Sequence, residues 1–172
     1  MKVIIKIYNK ILDYSFLGLL HEIYFRIYLL FYKKFNQKFF SSNSVERSES
    51  DNGMYIAFIN KILKNKKYFK KFKRNPVYRQ ILEHVTYIQG YHYLEIIARD
   101  NSELINNINL YLENDNYGKP IRFYYSKIKK YISPTTLRYI KIVSDIQKIF
   151  GNNFHGNICE IGCGYGGQYL LL

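Results

Sequence analysis

Glu160-Ile161-Gly162-Cys163-Gly164-Tyr165-Gly166-Gly167 is the stretch of this 172-residue sequence whose residue types and spacing could do chemistry. Gly162, Gly164, Gly166 and Gly167 fill four of six positions, a density needed where backbone takes positive φ or touches a ligand. Before the loop, Asn157-Ile158-Cys159-Glu160-Ile161 has the form of a buried strand in a parallel sheet. After it, Gln168-Tyr169-Leu170-Leu171-Leu172 has the form of a helix start, whose free N–H groups would face a ligand. Strand, glycine loop and helix together make a cradle for a nucleotide cofactor. Gly162, Gly164 and Gly167 satisfy G-x-G-x-x-G, the dinucleotide pattern, which would make the chain the start of an NAD-dependent oxidoreductase. Glu160 argues the other way. A carboxylate two residues before the first glycine attracts the cationic amino group of S-adenosylmethionine and repels a pyrophosphate. The expected cofactor is S-adenosylmethionine; a dinucleotide, or a glycine turn with no ligand, is the alternative.

The pattern Glu160-x-Gly162-x-Gly164-x-Gly166 is similar to the first motif of class I methyltransferases. Two upstream segments extend the likeness, Asn116-Tyr117-Gly118-Lys119-Pro120 and Ile132-Ser133-Pro134-Thr135-Thr136-Leu137-Arg138-Tyr139. In their order and spacing they resemble the sugar O-methyltransferase family, from about residue 75 onward. The resemblance implies a mainly α chain, in which a helical N-terminal region leads into the first strand and glycine loop of a Rossmann-like α/β methyltransferase domain. It also implies methylation of a sugar or glycan acceptor in polysaccharide or glycan biosynthesis. Glu160, Gly162 and Gly164 would contact the methionine end of the cofactor, Cys163 and Tyr165 would present backbone between them, and Gly166 would complete the motif. The reaction would be attack of a sugar hydroxyl on the sulfonium methyl, with a general base taking the proton. The family pattern further requires an acidic residue after a second strand and several more strands. None is found in this sequence, so the expectation is an incomplete N-terminal piece that is inactive by itself.

No general base is assigned. His155, just before the strand, is the nearest candidate, with a surface-loop histidine as the plainer reading; His84 and His92 fall in helical sequence as polar-face residues. Arg138 or Tyr139 could touch substrate if the segment 133–139 covers the cofactor, although helix capping and packing explain that segment equally well. Cys159 and Cys163 are the two cysteines, too few for a zinc site of four ligands and uninformative as a disulfide framework. Nothing in them suggests a disulfide-stabilised secreted protein, so a reducing cytoplasm is the default expectation.

The elements that must hold these residues read as helices. Residues 1–40 form an N-terminal helical segment, 41–53 a polar, flexible linker, 54–150 a helical region, and 151–172 the start of the methyltransferase domain. Within 54–150, helices are predicted over 54–73, 76–89, 91–99 and 103–113. Asn75-Pro76 opens the second, Gly90 closes it, and Ser102 caps the last. Residues 114–120 are a turn and 121–125 a short strand or an extended arm. Ser133-Pro134 then opens an amphipathic helix, with Leu137, Ile140, Val143, Ile146 and Phe150 at helical spacing before Gly151.

Charge is lopsided. Residues 1–80 hold 17 Lys and Arg against 5 Asp and Glu, whereas residues 81–172 hold 9 against 8. The richest stretch, Lys61 to Arg74, interleaves Lys61, Lys64, Lys66, Lys67, Lys70, Lys71, Lys73 and Arg74 with Tyr68, Phe69 and Phe72. It reads first as a solvated helix face. The competing function is a basic helical protein that binds nucleic acid or a membrane surface. No nucleic acid is expected as partner; peripheral membrane contact through the basic front half is the weaker expectation. The apolar stretch 14–32 is interrupted by His21, Glu22 and Arg26 and reads as a buried or surface-lying helix, not a membrane span.

Overall fold

A computed structural model describes residues 20, 23–28, 30–31, 53–151 and 157–172. The predicted linker 41–53, except for its last residue, and most of the predicted helices over 3–39 lie outside the described residues, as does His155. The chain is mainly helical. In order come α1 (Gly53–Lys64), α2 (Lys66–Phe69), α3 (Pro76–Ile81), α4 (Tyr87–Asp100), α5 (Ser102–Asn106), α6 (Ile108–Tyr111), β1 (Phe123–Tyr125), β2 (Lys130–Ile132) and α7 (Pro134–Phe150). Short 3-10 turns cover Phe72–Arg74, Leu112–Asn116 and Tyr169–Leu171.

Local chemistry sets the helix ends. Asn75 accepts a hydrogen bond from the Val77 N–H (2.9 Å), ahead of Pro76 at the first helical position. Ser133 does the same for α7, its hydroxyl oxygen accepting from the Thr136 N–H (3.1 Å). Gly151 ends α7 with φ +85° and donates its N–H to the Gln147 carbonyl. α7 packs against α4, and the core forms between them. Leu94 and Ile97 face Leu137, Ile140 and Val143, with Tyr87, Tyr125, Ile132, Leu104, Ile108 and Leu171 closing the sides. Phe150, the last residue of the predicted apolar face, is exposed. A second, aromatic cluster of Phe58, Phe72 and Tyr78 joins α1 and α3, and Tyr165 of the glycine loop packs on it.

Several boundaries differ from the prediction. The helix opened by Pro76 stops at Ile81, and a new one begins at Tyr87. Thr86 and Gln89 form a reciprocal capping box there: Gln89 N–H donates to Thr86 Oγ1 (3.3 Å) and Thr86 N–H donates to Gln89 Oε1 (2.9 Å). Gly90 therefore ends nothing and lies within α4. A Cβ at Gly90 would come within 2.3 Å of the Tyr125 hydroxyl and 3.0 Å of Pro134 Cβ, so its glycine serves the close approach of β1 and α7. Predicted helix 91–99 is the body of α4, and 103–113 is two short helices with a 3-10 turn. Ser102 is the first helical residue, not the cap, which is Asn101.

The predicted strand at 121–125 is present as Phe123–Tyr125. Its partner Lys130–Ile132, which the sequence reading passed over, pairs with it antiparallel with Phe123 opposite Ile132. The larger correction is at 157–161. This segment has no regular secondary structure, runs into a turn at Ile161 and joins no sheet among the described residues, where β1 and β2 form the only one. Asn157, Ile158 and Cys159 are exposed and Ile161 is 97% exposed, so this is not a buried strand. A strand without a neighbour leaves its backbone groups to water, and burial would cost it those hydrogen bonds. The predicted helix at 168–172 is the single 3-10 turn Tyr169–Leu171. Among the described residues, no helix is long and apolar enough to cross a membrane.

Candidate cofactor loop and the buried polar cluster beneath it

The glycine loop takes the backbone form its residues suggest. Gly162, Gly164 and Gly166 all have positive φ (+75°, +58° and +78°), which disfavours any side chain there. At Gly162 and Gly166 nothing lies within 4 Å of a notional Cβ, so the backbone face is open. At Gly167 a Cβ would strike the Tyr165 ring at 2.3 Å, so this glycine serves the fold of the loop itself. Cys163 is exposed; Glu160 is half-buried, and its Oε2 is buried with no hydrogen-bond partner.

Tyr165 is the anchor of the loop. Its hydroxyl donates to Asn114 Oδ1 (2.8 Å), its ring meets Phe72 edge-on at 5.4 Å, and the Lys73 ammonium lies 4.3 Å from its ring centroid. Burial pushes its phenol well above the ordinary range. Tyr165 thus contributes a side chain, where the sequence suggested backbone alone.

Under this anchor is a buried polar cluster that the sequence reading missed. Lys73 is 1% exposed. Its ammonium donates to the Asn114 carbonyl (3.0 Å) and stands 3.9 Å from Glu83 Oε1. This corrects the basic-face reading. Lys61, Lys64, Lys66, Lys67, Lys70, Lys71 and Arg74 are exposed, but Lys73 points inward, and so does Phe72. Asn114 and Asp115, read as turn residues, are buried as well. The Asp115 carboxylate accepts from the Ser133 N–H (2.7 Å), the Ser133 hydroxyl (2.8 Å) and the Thr136 hydroxyl (2.6 Å). Asn114 Nδ2 donates to Thr136 Oγ1 (2.6 Å). The three segments that carried the family likeness, 116–120, 132–139 and 160–168, therefore meet around one cluster.

Burial raises the Glu83 carboxyl to about 7 against the pull of Lys73, and lowers the Lys73 ammonium from its ordinary value. Thr135 offsets a further part of that rise, and the buried Glu83 Oε1 has no hydrogen-bond partner. An acid whose folded value lies above its ordinary 4.5 favours the fold most when protonated. Its contribution is complete below about pH 4.5 and is lost as pH rises through 7. Lys73 works in the opposite sense, but its window begins near the ordinary lysine value and moves down from there. The stability of Glu83→Gln relative to the parent chain should therefore increase by about 3 kcal/mol between pH 4.5 and 8. Urea unfolding of both chains across that range measures it; a difference independent of pH would show that Glu83 does not titrate there.

The remaining candidates separate from the loop. His84 is exposed, with Nδ1 3.0 Å from the Ile81 carbonyl oxygen, and His92 is exposed beside Tyr91. Arg138 lies over the Tyr139 ring at 5.2 Å, and Gln168 Nε2 donates to the Tyr139 carbonyl (3.2 Å), which ties the residues after the loop to α7. Tyr139 is raised by burial, with the Glu160 charge adding a smaller push in the same direction. Ser133 is a buried helix cap. Both cysteines are exposed free thiols. No protein-family model, curated protein or solved structure matches the chain.

Proposed function

We propose that residues 160–167 bind S-adenosylmethionine and that the chain serves a Rossmann-like methyltransferase that O-methylates a sugar hydroxyl in glycan biosynthesis. The observation that carries this reading is Glu160: an acid two residues before an open, left-handed glycine loop, with one carboxylate oxygen buried and unpartnered. A carboxylate at this place in the chain suits the methionine ammonium, because a charge-assisted hydrogen bond is stronger than a neutral one. The open backbone at Gly162 and Gly166 lets a ligand approach where any side chain would stand in the way. In the transfer, the acceptor hydroxyl oxygen bonds to the methyl carbon as the carbon–sulfur bond breaks. The sulfonium becomes the thioether of S-adenosylhomocysteine, and the hydroxyl proton passes to a base. Alignment of the two reactants supplies much of the acceleration.

Calorimetric titration of the full chain with S-adenosylmethionine, S-adenosylhomocysteine and NAD tests the reading. Both adenosyl ligands should bind, and Glu160→Gln should weaken each by about tenfold, which corresponds to about 1.4 kcal/mol for one charge-assisted contact. NAD binding that ignores the Glu160 substitution would favour the oxidoreductase reading. Absence of any adenosyl-ligand binding would remove the methyltransferase reading.

A further inference from the structure

Independent of the glycine loop, a second concave site lies between α1, the segment after α2, and the turn at 118–120. Phe58, Tyr68, Lys71, Arg74, Asn75 and Lys119 line it, about 890 Å³ of space open to solvent. Three cations share this cleft and no carboxylate lines it among the described residues. Two hydrogen bonds join the segment 71–74 to the turn at 118–119. Lys73 N–H donates to the Gly118 carbonyl (3.1 Å), and Arg74 Nε donates to the Lys119 carbonyl (2.9 Å). Gly118 and Lys119 take positive φ in succession (+70° and +51°). For lysine this is an uncommon backbone state, held by its surroundings. A Cβ at Gly118 would collide with the Phe72 ring at 2.6 Å, so the turn is pressed against the segment that carries Lys71 and Arg74.

We propose that this cleft binds the diphosphate of a soluble nucleotide. Three like charges gathered in one concavity repel one another until an anion joins them, and a cleft focuses their field on the ligand. The remaining guanidinium nitrogens of Arg74 suit a phosphate, because the planar fork pairs with two phosphate oxygens at once. Lys71 and Lys119 add mobile point charges, matching a group with more than one negative charge. The exposed Tyr68 supplies a flat face on which a base can stack. The site is small and concave and depends on Lys119, which lies 45 residues beyond Arg74 in the chain. A diffuse membrane-facing stripe along 61–74 would have no use for it.

Titration calorimetry of the full chain with ADP, inorganic pyrophosphate and adenosine at low salt tests the assignment, with vesicles of phosphatidylglycerol as a separate arm. ADP should bind saturably, pyrophosphate more weakly and adenosine not measurably, and the affinity for ADP should fall as salt rises. Lys71→Gln and Lys119→Gln should each weaken ADP about tenfold, whereas Lys64→Gln, exposed and outside the cleft, should change nothing. Among the described residues neither Lys71 nor Lys119 uses its side chain in a hydrogen bond or ion pair, so circular dichroism should stay unchanged. Three results overturn the proposal: no saturable binding of ADP, equal weakening by Lys64→Gln, or vesicle binding without ADP binding.

Discussion

Replacing Lys73 with methionine should destabilise the fold by about 3–5 kcal/mol, the range for removing one partner of a buried ion pair. Methionine matches the length of the lysine stem, so the loss is electrostatic in origin and not a cavity. Three contacts disappear together: the hydrogen bond to the Asn114 carbonyl, the approach to Glu83 and the ammonium over the Tyr165 ring. Glu83 is then left buried without its cation, and the Asn114 carbonyl loses its donor. The double substitution Lys73→Met with Glu83→Gln separates these parts. Removing the stranded carboxylate should recover part of the loss, because a buried pair replaced whole costs far less than a pair half removed. Urea unfolding of the four chains in this cycle gives the coupling directly. A double variant as unstable as the sum of the single ones would mean that the two residues do not interact.

Asp115→Ala should cost a similar amount, about 3–5 kcal/mol, for a different reason. Its carboxylate accepts three hydrogen bonds, from the Ser133 N–H, the Ser133 hydroxyl and the Thr136 hydroxyl. All three donors are buried; the Ser133 hydroxyl keeps Thr136 Oγ1 as an acceptor (3.0 Å), but alanine would leave the Ser133 N–H and the Thr136 hydroxyl without one, at about 1–3 kcal/mol for each buried unpaired group. Asp115→Asn keeps one oxygen as acceptor and should cost about half as much. The site of damage is also specific. Ser133 caps α7, so loss of Asp115 should lower the hydrogen-exchange protection of the first turn of α7 before that of its centre. Uniform loss of protection along α7 would show that Asp115 is not holding that end.

The sequence revealed the features that depend on neighbours in the chain. Asn75-Pro76, Ser133-Pro134 and Gly151 act within one helical turn, so residue type alone identifies them. The left-handed glycines at 162, 164 and 166 are of the same kind. Gly90 misled because its reason is tertiary: it makes room for Tyr125 and Pro134, and the capping box formed by Thr86 and Gln89 overrides any tendency to stop there. The strand expected at 157–161 failed for a related cause. Apolar composition gives a segment the option of pairing, but only a neighbouring strand makes it a sheet. Lys73 was hidden among seven exposed cations. Its partners, Glu83 and Asn114, lie 10 and 41 residues further along, and no local pattern distinguishes it from Lys70 or Lys71.

The Tyr165 anchor has a further consequence for how the loop meets a ligand. Most glycine-rich loops lose conformational freedom when something docks on them, and that loss is subtracted from affinity. Here the phenol bond to Asn114 and the Lys73–ring contact hold the middle of the loop against the helical body before any ligand arrives. A ligand that leaves Tyr165 in place meets a loop already ordered and retains its full contact energy. One that must displace the ring has to break that bond, and it disturbs Lys73 and Glu83 as well. If residues 160–167 hold the proposed cofactor, the anchor would act as a filter on shape, favouring ligands that approach from the open side of Gly162 and Gly166 over those that need the space under the ring.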